Sequence, residues 1–140
     1  MSTQETTTAP ITATRVSDFR RLSVLPHYFG QHMIAVESAI FDALREICKA
    51  YHGGHWEFYE LSNGSFFMAP SSSETFQVTC AGNWFQGELS AEATGIVASL
   101  LGINRALWKY RTNQLNDRFY GLREYALNHP EARQIMAAID

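Results

Sequence analysis

The sequence predicts an α+β fold, with a small three-stranded antiparallel sheet packed against about four helices. Apolar residues recur at helical spacing over residues 31–50. An Asn63-Gly64 pair separates two strand-like runs, as is typical of a hairpin. Residues 91–104 carry a single charge, on Glu92, as expected of a buried helix. Because helices and strands occupy separate blocks of the chain, α+β is favoured over α/β.

The composition predicts one folded domain behind a short tail. The chain has 140 residues, of which 46% are hydrophobic and 13% aromatic, enough for one core. The first fourteen residues contain six threonines and no aromatic residue, so they offer little surface to bury. We therefore expect a disordered tail over residues 1–14 and a single domain over residues 15–140.

The first predicted helix covers residues 31–50. Its apolar stripe consists of Met33, Val36, Ile40, Leu44 and Ile47. Charged residues fall mostly on the other side, so the helix is amphipathic. The glycine pair at 53–54 is expected to end it.

Strands are expected over residues 55–62, 65–69 and 75–80. Asn63 and Gly64 predict a two-residue turn in which both residues have positive φ. A turn of this length would place Leu61 opposite Phe66. The pattern leaves both faces of the hairpin largely apolar, so we expect both to be covered at least in part.

The rest of the chain predicts three helices. Ser90 is a good N-cap for the first of them, which is apolar on nearly all sides. Gly95 and Gly102 lie seven residues apart on one face of this helix and predict close backbone packing. The next helix is marked by Leu115, Phe119, Leu122 and Ala126. Pro130 suits the first turn of a short last helix.

No motif in the sequence builds an active site, so we predict no catalytic residues, no metal and no cofactor. His55 and Glu57 share one strand face and could chelate a metal or act as acid and base. No third ligand or orienting partner is evident for them. Cys48 and Cys80 are expected to be small buried residues. An enzyme using His55, Glu57 or Cys80 remains an alternative hypothesis.

The charge balance argues against two ways of acting on DNA. Fourteen acids against eleven bases give a net charge of −3. A DNA mimic needs far denser carboxylates, and a dedicated DNA binder needs a basic stripe. Residues 50–104 contain no lysine or arginine, which argues against base stacking on the aromatic hairpin. Direct DNA binding is disfavoured but stays open for five basic residues: Arg105, Lys109, Arg111, Arg118 and Arg123.

Two places are candidates for contact with a partner. Trp84 and Phe85 fall in a predicted loop between Gly82 and Gly87, and exposed loop aromatics are good interface anchors. The alternative is that they fold back over the sheet. Asp140 carries two carboxylates at an otherwise apolar helix end, and its alternative is an inert, frayed terminus.

Four stretches, in order, resemble the ArdB/KlcA antirestriction proteins. They are "RLSVLPHYFG" at 21–30, "YHGGHWEFYELSNGSFFMAP" at 51–70, "GNWFQGELSAEATGIVASL" at 82–100 and "RFYGLREYALNHPEARQIMAAID" at 118–140. The resemblance implies an α+β protein of plasmids, phages or genomic islands that relieves type I restriction-modification and protects incoming DNA. It implies neither an enzyme nor a metalloprotein, and the family differs from the acidic DNA mimics.

The partner implied by the resemblance is the type I restriction-modification enzyme or a host factor controlling it. The resemblance does not settle how restriction is blocked. The alternative function is a small DNA-binding accessory protein of a plasmid or phage. The sequence has no signal-peptide pattern and no apolar run of about 18 residues, so we expect a cytoplasmic protein that does not enter membranes.

Overall fold

The computed structural model describes residues 10–49, 51 and 53–140. Five α-helices and five strands lie within these residues. The helices are Arg21–Phe29 (α1), Met33–Ile47 (α2), Ala91–Tyr110 (α3), Asn113–Leu127 (α4) and Ala132–Ile139 (α5). The strands are Ala13–Arg15 (β1), Trp56–Leu61 (β2), Phe66–Pro70 (β3), Thr75–Cys80 (β4) and Phe85–Ser90 (β5). The predicted α+β class is confirmed.

The strands form two antiparallel sheets, in the orders β1-β2-β3 and β4-β5. The predicted three-stranded sheet around the hairpin is therefore present, but its third strand is β1. The predicted third strand, 75–80, is β4 and pairs instead with β5, where Val78 lies opposite Gly87. Polar and glycine residues in β5 hid this strand from the hydrophobic pattern.

The predicted tail extends too far along the chain. Residues 1–9 lie outside the described residues. Ala13 and Thr14 belong to β1, in which Ala13 lies opposite Leu61. Main-chain hydrogen bonds to β2 order this polar segment, although it buries little apolar surface.

The hairpin turn differs from the predicted one by a residue. Gly64 donates its N–H to the Leu61 carbonyl at 3.0 Å, and Leu61 donates to the Ser65 carbonyl at 2.9 Å. Gly64 has a φ of 90°, whereas Asn63 does not have a positive φ. The loop is thus a three-residue turn ending in a left-handed glycine, a common hairpin geometry.

This turn shifts the predicted register of β2 against β3. Glu60 lies opposite Phe66 and Tyr59 opposite Phe67, so the predicted pairing of Leu61 with Phe66 is wrong by one residue. A shift of one residue exchanges the side chains that share a face. The rings of Tyr59 and Phe67 accordingly stack with their centroids 4.7 Å apart.

Helix α3 packs at the centre of the molecule. Its predicted N-cap is confirmed, because the Ser90 hydroxyl accepts the N–H of Ala93 at 3.1 Å. The two glycines do mark close backbone packing. A Cβ at Gly95 would lie 2.5 Å from the Met68 carbonyl oxygen, and one at Gly102 would lie 2.6 Å from Cα of Ile40.

The unpaired edge of β3 faces α3 and is satisfied there by a side chain. Ser99, itself fully buried, accepts the Met68 N–H and donates to the Met68 carbonyl, both at 3.1 Å. Helix α3 thereby covers a sheet edge that would otherwise leave buried polar groups without partners.

Helix α1 is the helix that the sequence did not predict. Pro26 lies inside it, and a proline inside a helix removes a hydrogen bond and usually marks a boundary. Helix α2 ends at Ile47, ahead of the glycine pair expected to stop it. Helices α4 and α5 lie within a few residues of their predicted positions.

Candidate functional site

Trp84 lies in the tight turn between β4 and β5, with its side chain 87% exposed. Its φ is 65°, a left-handed conformation that is uncommon for a bulky residue. Among the described residues other than glycine, Arg111 alone shares a positive φ. The turn thus presents a large aromatic ring to solvent from a strained backbone.

Asn83 fastens this turn to the end of α5. Its side-chain amide donates to the carbonyls of Ala137 and Ala138, at 3.1 and 2.9 Å. Its side-chain oxygen accepts the N–H of Phe85 at 3.0 Å. These bonds satisfy carbonyls that a helix end leaves without intrahelical partners. They also fix the turn beside the last residues of the helix.

Phe85 does not lie in the predicted loop, because it begins β5. Its ring is half-buried against the core and covers its own strand, 2.9 Å from where a Cβ on Gly87 would lie. Of the two predicted loop aromatics, only Trp84 is presented to solvent.

Asp140 and the Asn83 turn line one cleft of about 520 Å³. Other groups lining it are Glu46, Lys49, Cys80 and Arg105. Glu46 and Arg105 form an ion pair with 2.8 Å between Oε1 and a guanidinium nitrogen. Burial raises the pKa of the Cys80 thiol, so it stays protonated at neutral pH. The cleft therefore offers charges of both signs but no thiolate.

His55 and Glu57 lie in a cluster that also contains Asp18. One potential ligand atom from each of the three lies within 4.8 Å of the others. The Glu57 carboxylate already contacts Arg15 at 3.4 Å and Arg21 at 3.7 Å. A metal ion would have to compete with two guanidinium groups, so the contacts favour an ion-pair cluster that joins the N-terminal segment to β2.

A second polar network ties the region of α1 to β2, and the sequence did not predict it. Arg20 donates to both oxygens of Glu60, at 2.7 and 3.1 Å, and the Tyr28 hydroxyl donates to Glu60 at 2.9 Å. The Arg20 hydrogen bonds hold the pKa of Glu60 below its ordinary value of 4.5. Burial and the bond to Glu60 raise the pKa of Tyr28 to about 12.

A third network surrounds the N-terminus of α3. Ser90 donates from Oγ to Glu131 at 2.5 Å. The Glu131 N–H donates to Nδ1 of His129, so Nε2 carries the proton that bonds to Glu92 at 2.7 Å. The imidazole is therefore bonded to Glu92 and not to the Ser90 hydroxyl, and the group caps a helix rather than activating a nucleophile.

The five basic residues considered for DNA are not one free stripe. Arg105 is paired with Glu46, as described above. Arg118 donates to two backbone carbonyls, at 3.0 and 2.8 Å, and joins α4 to α1 and to the hairpin turn. Lys109 and Arg111 are exposed at the end of α3. The separation leaves little continuous basic surface.

No helix in the described part of the chain is both long enough and apolar enough to cross a membrane.

The geometry defines an α+β protein in which two antiparallel sheets surround a central buried helix. A family model for antirestriction proteins matches residues 49–140. The chain belongs to this antirestriction protein family.

Individual relatives agree with this assignment. One antirestriction protein KlcA from Escherichia coli is 43% identical over 139 residues, covering 94% of this chain and 95% of the relative. A second Escherichia coli KlcA is 40% identical and covers all of both chains.

A solved structure aligns with a TM-score of 0.87 and 40% identity, covering 98% of this chain and 100% of the other. That work describes KlcA and ArdB as having a novel fold and antirestriction activity against type I DNA restriction systems in vivo but not in vitro.

Proposed function

We propose that this protein relieves type I restriction by binding a protein partner, without catalysis and without imitating DNA. The partner is the restriction-modification enzyme or a host factor that controls it. The observation that carries the proposal is the whole-length similarity to the KlcA proteins and to a structure described with this activity. The protein would act in the cytoplasm and protect incoming DNA of mobile elements.

The surface charge supports binding to protein rather than imitation of DNA. Duplex DNA carries one negative charge per about 1.7 Å of its axis. This chain carries a net charge of only −3 over 140 residues. Its carboxylates at residues 57, 60 and 131 are also engaged in internal bonds. An inhibitor with this charge must be recognised through shape and specific contacts.

The face around Trp84 is the contact surface that we propose. A tryptophan that is 87% exposed and held at a fixed position by Asn83 has the properties of an interface anchor. Asp140 lines the adjacent cleft and supplies negative charge beside it. Phe85 supports the turn from within β5.

The test of the function is the plating of unmodified phage on cells that carry a type I restriction system. Expression of this protein should raise the plating efficiency above that of an empty-vector control. Unchanged plating, with the protein soluble in the cells, would refute the proposed function. Cells without the restriction system show whether the effect is specific.

The test of the contact surface uses two substitutions, Trp84→Gly and Asp140→Asn. Each should reduce the relief of restriction, because each removes a proposed contact without disturbing the core. Ile34→Gln is the matched control, since Ile34 is 64% exposed on α2 and belongs to neither part of the face. Equal relief by Trp84→Gly and the wild type would remove Trp84 from the surface.

A further inference from the structure

A groove lies where α3 ends and α4 begins, outside the Trp84 face. It has a volume of about 370 Å³, and its lining includes Asn104, Trp108, Arg111, Asn116, Phe119 and Tyr120. The side chains of Trp108 and Tyr120 are 66% and 56% exposed. Tryptophan, tyrosine and arginine are the residue types that dominate the energetics of protein interfaces.

Arg111 occupies a position that ordinarily belongs to glycine. It ends α3 with a φ of 54° and donates its N–H to the Leu107 carbonyl at 2.8 Å. Helices commonly end in this left-handed conformation, and glycine is preferred there because it has no Cβ. An arginine at this point is disfavoured by its backbone, and strained positions of this kind cluster at functional sites.

No carboxylate in the part of the chain that the structure describes lines the groove, so its own side chains do not neutralise its positive charge. The Arg111 guanidinium lies 5.4 Å from the centre of the Trp108 ring. No carboxylate among the described residues forms an ion pair with Arg111 or Lys109. The groove therefore combines exposed aromatic surface with unpaired positive charge.

We propose that this groove binds an acidic segment of a partner protein. A carboxylate of the segment pairs with Arg111, and an adjacent apolar or aromatic side chain packs against Trp108 and Tyr120. Asn104 and Asn116 can bond to its backbone. The proposal rests on the proposed function and adds to it a second contact surface and the chemistry of the partner.

A protein segment fits this groove better than a nucleic acid. Arg111 is the cation that lines the groove, Lys109 lies two residues before it at the end of α3, and Asp117 follows Asn116 directly. Non-specific affinity for nucleic acid comes from the phosphates that lysine and arginine neutralise, so it grows with the number of such contacts. Two cations beside a carboxylate suit one or two acidic side chains instead.

The direct test is an NMR titration of the isotope-labelled protein with three probes. The first is a synthetic peptide that alternates glutamate with phenylalanine and leucine, and the second is the same peptide with glutamine for glutamate. The third is an oligothymidine. We expect shifts of the Trp108 indole and of the residues around Arg111 with the acidic peptide, and weaker binding of the neutral one.

Three results would overturn the proposal. They are no shifts with the acidic peptide, equal affinity for the neutral peptide, and tighter binding of the oligothymidine at the same residues. The last result would assign the groove to single-stranded nucleic acid.

Substitution of Arg111 separates a contact from a structural role. Arg111→Gly should lower the affinity for the acidic peptide about tenfold, as expected for an interface anchor. The same variant should unfold at a higher temperature than the wild type, because glycine is favoured at a φ of 54°. Arg133→Gln, which removes one exposed positive charge from α5, is the matched control and should bind normally.

The phage assay then connects the groove to restriction. If the wild type relieves restriction, Arg111→Gly should relieve it less, and equal relief would refute the groove as a partner surface. If the wild type gives no relief while the acidic peptide still binds near Arg111, the proposed function fails and the groove remains. The two failures are therefore distinguishable.

Discussion

Trp84 and Arg111 are exposed residues whose backbone conformation is unfavourable for an L-amino acid. Both have positive φ, which disfavours L-residues by about 1–2 kcal/mol. Both are exposed, so neither offsets this cost by filling the core. Strained positions of this kind cluster at functional sites, because selection for contact can outweigh a small loss of stability.

We predict that Trp84→Gly raises the free energy of unfolding by about 1 kcal/mol, since glycine adopts a φ of 65° without a Cβ clash. Trp84→Ala is the matched control and should give no such gain, because alanine keeps the Cβ. Urea denaturation measures both. A lower free energy of unfolding for Trp84→Gly would show that the ring packs on the fold.

The carboxylate of Glu60 gives the protein a defined sensitivity to acid. Arg20 holds the pKa of Glu60 below 4.5, so the folded state binds fewer protons than the unfolded state as the pH falls past this value. The stabilisation is complete above 4.5 and is lost as the pH falls through the lowered pKa.

We therefore predict that Glu60→Gln flattens the dependence of the unfolding free energy on pH below about 4.5. It should also lower stability at pH 7, because the bonds from Arg20 and Tyr28 are weakened. Denaturation curves across this range test the prediction. Glu88→Gln, at an exposed carboxylate on β5, is the control. Parallel slopes for Glu60→Gln and the wild type would contradict it.

At the scale of elements, the close packing of α3 could be predicted from the sequence, whereas the pairing of the hairpin strands could not. Helix α3 could be predicted because residues 91–104 are apolar on nearly all sides and its two glycines need close neighbours. The hairpin register could not, because Asn63-Gly64 is compatible with two turn lengths. The Asn63 amide bonds to Gly121 of α4 at 2.9 Å, a tertiary contact that no local pattern contains.

The candidate site likewise has features that the sequence suggests and features that it does not. The position of Trp84 between two glycines made it a candidate for exposure, with packing over the sheet as the alternative. The bond from Asn83 to Ala137 could not, because it joins residues 54 apart in the chain. The groove beside Arg111 was also hidden, because it depends on how α4 turns back against α3. Long-range contacts that assemble surfaces leave no periodic signal in the sequence.

The close packing of α3 on β3 at Gly95 gives the third prediction. Gly95→Ala should destabilise the protein by about 1–3 kcal/mol, because its Cβ would lie 2.5 Å from the Met68 carbonyl oxygen and separate α3 from β3. This loss outweighs the gain of about 1 kcal/mol in helix propensity. Gly82→Ala is the control, since a Cβ there meets nothing within 4 Å. A neutral Gly95→Ala would mean that the helix can shift.

At the scale of the whole molecule, several arginines are paired with carboxylates of other elements of the same fold. Arg15, Arg20 and Arg21 contact carboxylates of β2, and Arg105 pairs with Glu46 of α2. Residues 50–104 contain no lysine or arginine. We do not expect a surface with a net charge of −3, in which these four arginines are paired, to attract a duplex or to imitate one.

We accordingly predict that the purified protein has no measurable affinity for duplex DNA, even at about 50 mM salt, where phosphate contacts are strongest. Fluorescence anisotropy of a labelled duplex measures this. A basic DNA-binding domain assayed in parallel shows that the assay detects phosphate contacts. Saturable binding that weakens steeply with salt and is lost in the double variant Lys109→Glu, Arg111→Glu would establish direct contact with DNA. Relief of restriction in cells by a protein that does not bind DNA is the result expected if it acts through the proposed protein partner.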